Sequence, residues 1–373
     1  MGAGARAGLD RARRPDDRLG FPVSGNSPTR ITESPGTEGR ALPDGGGRVQ
    51  WRPTASREML QLRAALLART RAFFGSRGVL EVDTPVVVNV PVTDVHIHSA
   101  RVTLDAADRQ EALHQAYFLH TSPEYAMKRL LAAGVGDIYQ ICHVVRALER
   151  GRLHNAEFTL IEWYRAGFSL EALMSEVEAL VRELLGAAGA SRRGTRLSYR
   201  EAFLRELALD PFTASLEELA QSAQRVAGLA GAAAGRDELL EALMGTVIGP
   251  RLGRGELTFV HGYPASQAAL ARLDPADPRA AQRFELYCEG IELANGFHEL
   301  ACAREQRERF ERDIEERRRL GLPGAHPDER LLAALEAGIP DCSGVALGFD
   351  RTLMLAGAAG HIDAVLPFPI ERA

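Results

Sequence analysis

The sequence predicts an α+β fold over residues 51–373, an antiparallel β-sheet flanked by helices. Two strand-like runs, "DIYQICHVV" and "EFTLIEWYRA", are joined by an arginine-rich loop at 146–155 rather than by a helical crossover. A second pair of runs lies within "FELYCEGIELANGFHELA" at 284–301, around Glu289–Gly290. The helical patterns fall in blocks outside these pairs, which argues against a doubly wound parallel sheet.

In chain order, residues 1–50 are rich in Gly, Pro, Arg and Asp without apolar periodicity and read as a disordered tail. From Trp51 the pattern changes. Met59, Leu62, Leu66 and Phe73 share a helical face within 56–78, and Gly78 ends the run. "VLEVDTPVVV" reads as a strand interrupted by Pro85, and "AYFLHT" as a strand running into the helix "SPEYAMKRLLAAG". Past the first hairpin, helices are expected at 169–186, 198–207, 215–228 and 236–248, a helical insertion over about 169–250. "LTFVHGYP" returns to the sheet. A charged helix at about 303–320 and a shorter one at 328–337 precede "GVALGFDRTLMLAGA", a strand turning into a helix.

In 284–301, Glu285, Glu289 and Glu292 have helical spacing, but Gly290 and Gly296 would each cost about 1 kcal/mol inside a helix. The apolar and aromatic residues between them suit a sheet. A hairpin centred on Glu289–Gly290 sets Tyr287 opposite Glu292 and puts Glu285, Tyr287 and Glu292 on one face. Glu299 joins that face only if one residue is inserted, and Asn295–Gly296 is the expected bulge site. Carboxylates so gathered either hold cations, Mg²⁺ or a substrate ammonium, or form a solvated edge hairpin.

Composition narrows the field. A formal charge of -5, 45% hydrophobic and 25% charged residues describe a globular chain without the basic surface of a nonspecific nucleic-acid binder. Four cysteines without a C-x-x-C pair fit a reduced cytoplasmic protein. No apolar run approaches the roughly 18 residues of a membrane span. Lys128 is the only lysine. No P-loop or G-x-G-x-x-G is present, and His96 and His98 lack a third metal ligand nearby in sequence. The loop with Arg146, Arg150, Arg152, His154 and Asn155 is either a triphosphate grip or an ordinary basic hairpin tip. Arg351 beside Gly348 sits at a strand-to-helix turn where a nucleotide could come close. Ser122, Pro123 and Glu124 make a good helix start.

Taken in order, these pieces resemble the three signature motifs of class II aminoacyl-tRNA synthetases. The first helix, strand and Pro85 resemble motif 1, the dimer-forming element; "VVRALERGRLHNAEFTLIEWY" resembles motif 2, and "GVALGFDRTLML" motif 3. "ELANGFHEL", "HNAEFT" and "SPEYAMKRLL" are most similar to the lysyl-tRNA synthetase subgroup. Such synthetases carry an anticodon-binding OB-fold before this domain, which is not seen here. With "PASQAAL", "PDCSGVALG" and "FPIERA", the chain is similar to the stand-alone paralogues that modify elongation factor P.

The resemblance implies an ATP-dependent, AMP-forming ligase. It would activate (R)-β-lysine or lysine as an acyl-adenylate and pass it to a lysine ε-amino group of elongation factor P. It further implies ATP and Mg²⁺, a cytoplasmic homodimer, and no tRNA. By the same resemblance Arg146 and Arg351 would hold the phosphates. Ala147, Leu148, Asn155, Glu292, Leu293 and Gly348 would border the nucleotide, and Glu285 and Glu292 would hold Mg²⁺. Glu124 would meet the amine near the reacting carboxylate, with Ser122, Pro123 and Ala346 shaping the pocket, and Tyr164 and Glu299 would take the distal ammonium. Two departures stand out: the family's Arg-x-Glu becomes Arg146-Ala147-Leu148 with the acid one place later at Glu149, and "HNPEF" becomes "HNAEF". A truncated tRNA-charging enzyme and an inactive regulatory paralogue are the alternatives.

Overall fold

The computed structural model describes residues 51–103, 116–228 and 235–373; the tail read at 1–50 lies outside the described residues. Helix α1 (Arg57–Gly75) starts where the Ser56 side chain accepts from the Met59 amide. Short strands β1 (Leu80–Glu81), β2 (Val87–Val88), β3 (Arg101–Val102) and β4 (Tyr117–Leu119) follow, then α2 (Glu124–Ala132). The first expected hairpin is β5 (Ile138–Val145) and β6 (Glu157–Ala166). Next come α3 (Leu170–Leu185), the single turn α4 (Ala187–Ala190), β7 (Gly194–Ser198), α5 (Tyr199–Leu207), α6 (Leu216–Ala227), α7 (Arg236–Leu243) and β8 (Leu257–Pro264). β9 (Ala280–Cys288) and β10 (Ile291–His298) form the second hairpin, and α8 (Ala303–Arg319), α9 (Glu329–Ala337), β11 (Cys342–Gly348) and α10 (Phe349–Ala356) complete the chain.

The main sheet has eight strands in the order β1-β5-β6-β11-β10-β9-β8-β7, and β2-β4-β3 form a small second sheet. The six central strands pair antiparallel, as expected, but β1 runs parallel to β5 and β7 parallel to β8. The sheet is therefore mixed at both edges. Each parallel partner is brought in by a long connection, α2 at one edge and the α5–α7 block at the other, as parallel pairing requires.

One face of the sheet packs on α1, α3 and α10 through a core that includes Phe74, Trp163, Leu180 and Leu353. Phe74 stacks on Tyr139 at 4.4 Å and meets Trp163 edge-on at 5.2 Å. α3 thus belongs to the main helical layer. Within the stretch read as an insertion, only α5–α7 build a separate cluster, around Phe203, Leu219 and Leu240. Reciprocal capping boxes at Ser198/Glu201 and Ser215/Glu218 start α5 and α6.

The β9–β10 turn is as the sequence implies, with Glu289 (φ 51°) and Gly290 (φ 73°) both left-handed and Tyr287 opposite Glu292. The bulge is not at Asn295–Gly296. Pairing slips between Glu292 and Ala294, so Leu293 is the extra residue, and Leu293 and Ala294 are both buried in the core cluster while also bordering the cavity. Gly296 serves another purpose, because a Cβ there would stand 2.5 Å from the Phe284 ring. One inserted residue still suffices to bring Glu299 onto the face of Glu285 and Glu292.

Candidate active site

Strand alternation builds the site. On β6, Ile161 and Trp163 enter the helical core, so Phe158, Leu160, Glu162 and Tyr164 face the opposite side; on β11, Leu347 enters the core and Gly344, Ala346 and Gly348 face away. That opposite face floors a cavity of about 1430 Å³, overhung by α7 and α8. Of the residues singled out in sequence, Ser122, Pro123, Glu124, Arg146, Asn155, Tyr164, Glu292, Leu293, Glu299, Ala346, Gly348 and Arg351 all line it. Ala147, Leu148 and Glu285 do not.

At the buried end, α2 starts at Glu124, whose amide donates to Ser122 Oγ at 3.0 Å. Ser122 Oγ donates in turn to Glu162 Oε2 at 2.8 Å, and the Tyr164 hydroxyl donates to Glu162 Oε1 at 2.8 Å. Tyr164 therefore reaches the site through Glu162, a carboxylate the sequence reading did not single out. Lys128 Nζ lies 2.7 Å from Glu124 Oε1 and 2.6 Å from Glu299 Oε2. Burial, then the nearby Glu124 carboxylate, raise Glu162 to about 8. Burial raises Glu299 to about 7, although Lys128 pulls it down. Burial opposes the Lys128 charge, but Glu124 and Glu299 more than offset this and keep the ammonium protonated. Gly344 is required here, since a Cβ would meet the Tyr164 ring at 2.3 Å and Glu299 Oε1 at 2.7 Å.

The other end is cationic. Arg351, at the start of α10, donates to Glu292 O at 3.0 Å and to Leu153 O at 3.2 Å, and its Nη2 meets His154 Nε2 at 2.6 Å. Burial and then Arg351 lower the pKa of His154, so it accepts as neutral imidazole. Arg146, from the β5–β6 loop, lies 5.2 Å over the Phe158 ring and donates to Glu149 Oε1 at 3.3 Å. The displaced acid thus keeps its arginine, while Leu148, in the family's acid position, is 73% exposed. Asn155 lines the wall, but its amide is committed to Glu157 O (2.7 Å) and the Ile370 N–H (3.1 Å), which pins the C-terminal segment to this loop. Phe158, also missed in sequence, offers an aromatic face beside Arg146.

For a divalent cation, Glu292 fits: its side chain is 40% exposed into the cavity, and burial with the adjacent Glu285 charge raises it to about 6. Glu285 fits less well, because Arg283 Nη2 donates to its Oε1 (2.5 Å) and the Tyr287 hydroxyl to its Oε2 (2.6 Å). Among the described residues no three acidic, His or Cys side chains converge on one metal position. A Mg²⁺ ion here would draw most of its oxygen ligands from phosphates and water, as Mg²⁺ commonly does.

An antiparallel sheet whose open face sets a hairpin arginine against a strand-to-helix arginine defines a class II synthetase, and the chain belongs to that family: tRNA synthetases class II (D, K and N) match residues 48–372. It is 48% identical over 327 residues to the elongation factor P–(R)-beta-lysine ligase of Vibrio cholerae. It is 46% identical to the protein of that name from Pasteurella multocida and 45% to that from Salmonella typhi. Each match covers 87% of this chain and 98% of the relative.

Proposed function

We propose that this chain activates (R)-β-lysine or lysine with ATP and ligates it to the ε-amino group of a lysine on elongation factor P. The observation that carries this is the buried end of the cavity, where Glu124, Glu162 and Glu299 converge in the same cavity that Arg146 and Arg351 line. A substrate with two ammonium groups and one carboxylate suits that polarity, and relatives matched over 98% of their length bear the name elongation factor P–(R)-beta-lysine ligase.

The chain's groups act by placement and charge. Glu124 and Glu299 receive the ammonium groups and turn the substrate carboxylate toward the arginine end. Arg146 and Arg351 hold the triphosphate while that carboxylate attacks the α-phosphorus in line and pyrophosphate departs. Phe158 offers its ring to the adenine, and Gly348 and Leu293 border the nucleotide. Glu292, with Glu285 behind it adding negative charge, would hold Mg²⁺, which when bound neutralises the phosphates. The acceptor amine then attacks the acyl-adenylate, an amide forms and AMP leaves. Exposed Leu80, Val86 and Val87 after α1 support a homodimer built on that segment.

The test incubates the protein with ATP, Mg²⁺ and (R)-β-lysine or α-lysine, then offers elongation factor P or lysine tRNA. Pyrophosphate exchange followed by transfer to the factor is expected. Adenylate formation without that transfer sinks the reading, and no exchange with any amino acid points to a regulatory paralogue.

A further inference from the structure

Lys128 is the only lysine in a chain with 45 lysines and arginines, and it stands where a cation is hard to accommodate, 1% exposed within α2. It does not line the cavity, yet Glu124 and Glu299, the two acids it holds, both do. Its ammonium therefore reaches them from behind the wall. It engages Oε1 of Glu124 and Oε2 of Glu299. With Glu162 beside them, the three carboxylates when ionised and the one ammonium sum to a net charge of minus two, opposite to the two ammonium groups of a diamino acid. Three carboxylates this buried and this close would not all ionise without an internal cation. A guanidinium is broader than an ammonium and planar, so it does not bridge two acids at one point in the same way.

We propose that Lys128 is a positioning residue that fixes Glu124 and Glu299 from behind the cavity wall and tunes the buried end to a substrate bearing two ammonium groups. This deepens the function proposed above and rests on it. The titratable groups that interact with the ammonium are Glu124 on α2, Glu299 after β10 and Cys342 on β11, and Glu162 and Tyr164 on β6 interact in turn with those two acids. α9, packed on α2, contributes buried Leu331, Leu332 and Leu335 instead. Burial already raises Glu299 with Lys128 pulling it down, so removing the Lys128 charge raises it further.

The experiment follows amino-acid activation by Lys128→Met and Lys128→Arg through pyrophosphate exchange across pH. For Lys128→Met, KM for the diamino acid at neutral pH should rise about fivefold, because one pKa unit takes Glu299 from about half to about a tenth ionised. KM for ATP should stay within about twofold, and the deficit should shrink toward about pH 9 as the acids ionise unaided. Lys128→Arg should recover the wild-type pH profile better than its KM. A Lys128→Met profile parallel to wild type overturns the proposal, leaving Lys128 merely structural. If the methionine variant does not fold, wild-type protein labelled with ¹⁵N-lysine decides, because the full chain gives a single Nζ signal. A protonated, exchange-shielded signal with and without added lysine supports the proposal; an ammonium released to solvent when lysine binds overturns it. Wild-type protein that activates no diamino acid refutes the proposed function itself, an outcome distinct from either variant result.

Discussion

At the scale of single residues, the buried end of the cavity is governed by how many of its acids are ionised. Glu162 and Glu299 have pKa values raised to about 8 and about 7, so near neutrality each carries a proton part of the time. A raised carboxyl pKa favours the protonated folded state, so stability should decline as pH climbs from the unfolded carboxyl value through these folded values. Diamino-acid binding needs the ionised forms, so KM for lysine should fall over the same window. Glu299→Gln removes one of these charges and should raise that KM by at least about tenfold, with KM for ATP unchanged and the pH dependence reduced to the Glu162 step. A variant with wild-type KM would remove Glu299 from substrate binding. Glu299 is assigned through the family resemblance, parity placing it on the acidic face only with an inserted residue; Glu162 is passed over, although a glutamate inside the apolar run "LIEWY" is itself a signal of a buried, partnered charge.

At the scale of elements, the β9–β10 hairpin shows what a pattern can and cannot specify. Its turn was legible because Glu289–Gly290 matches a left-handed pair, and the need for one inserted residue followed from parity. The position of that residue was not legible, because packing decided it: the core accepts Leu293 and Ala294 together, while Gly296 stays flat under Phe284 and Val345. Gly296→Ala should therefore destabilise the protein by about 1–3 kcal/mol through overpacking, read as a lower urea midpoint at unchanged slope. No loss would mean that the Phe284 ring yields freely. The α5 and α6 spans were legible, expected at 198–207 and 215–228 and found at Tyr199–Leu207 and Leu216–Ala227. The parallel edges β1–β5 and β7–β8 were not, since each joins segments distant in sequence with no shared local code.

At the scale of the whole molecule, the last residues close the nucleotide end. Arg150 pairs with Asp363 at 2.9 Å and Glu371 at 2.5 Å, Asn155 holds Ile370, and the Thr54 amide donates to Pro367 O at 2.9 Å. The C-terminal segment thus braces both the start of α1 and the loop that carries Arg146. Arg150→Ala should change overall stability little, as exposed ion pairs contribute about 0–1 kcal/mol. It should raise KM for ATP several-fold while leaving KM for lysine alone, measured by pyrophosphate exchange. Equal KM values for ATP in variant and wild type would show that the brace does not order the loop.

The burial of Lys128 has one more consequence. An enzyme that generates an activated acyl group aimed at lysine side chains is its own nearest bystander. This chain offers that reagent no accessible lysine, because its single ε-amino group is locked between two acids beneath the cavity wall. Adenylate that strays from the site meets arginines, which stay protonated and do not acylate under such conditions. The proposed catalyst thus presents no accessible lysine of its own to label, and its activated product is left for the acceptor it meets in solution.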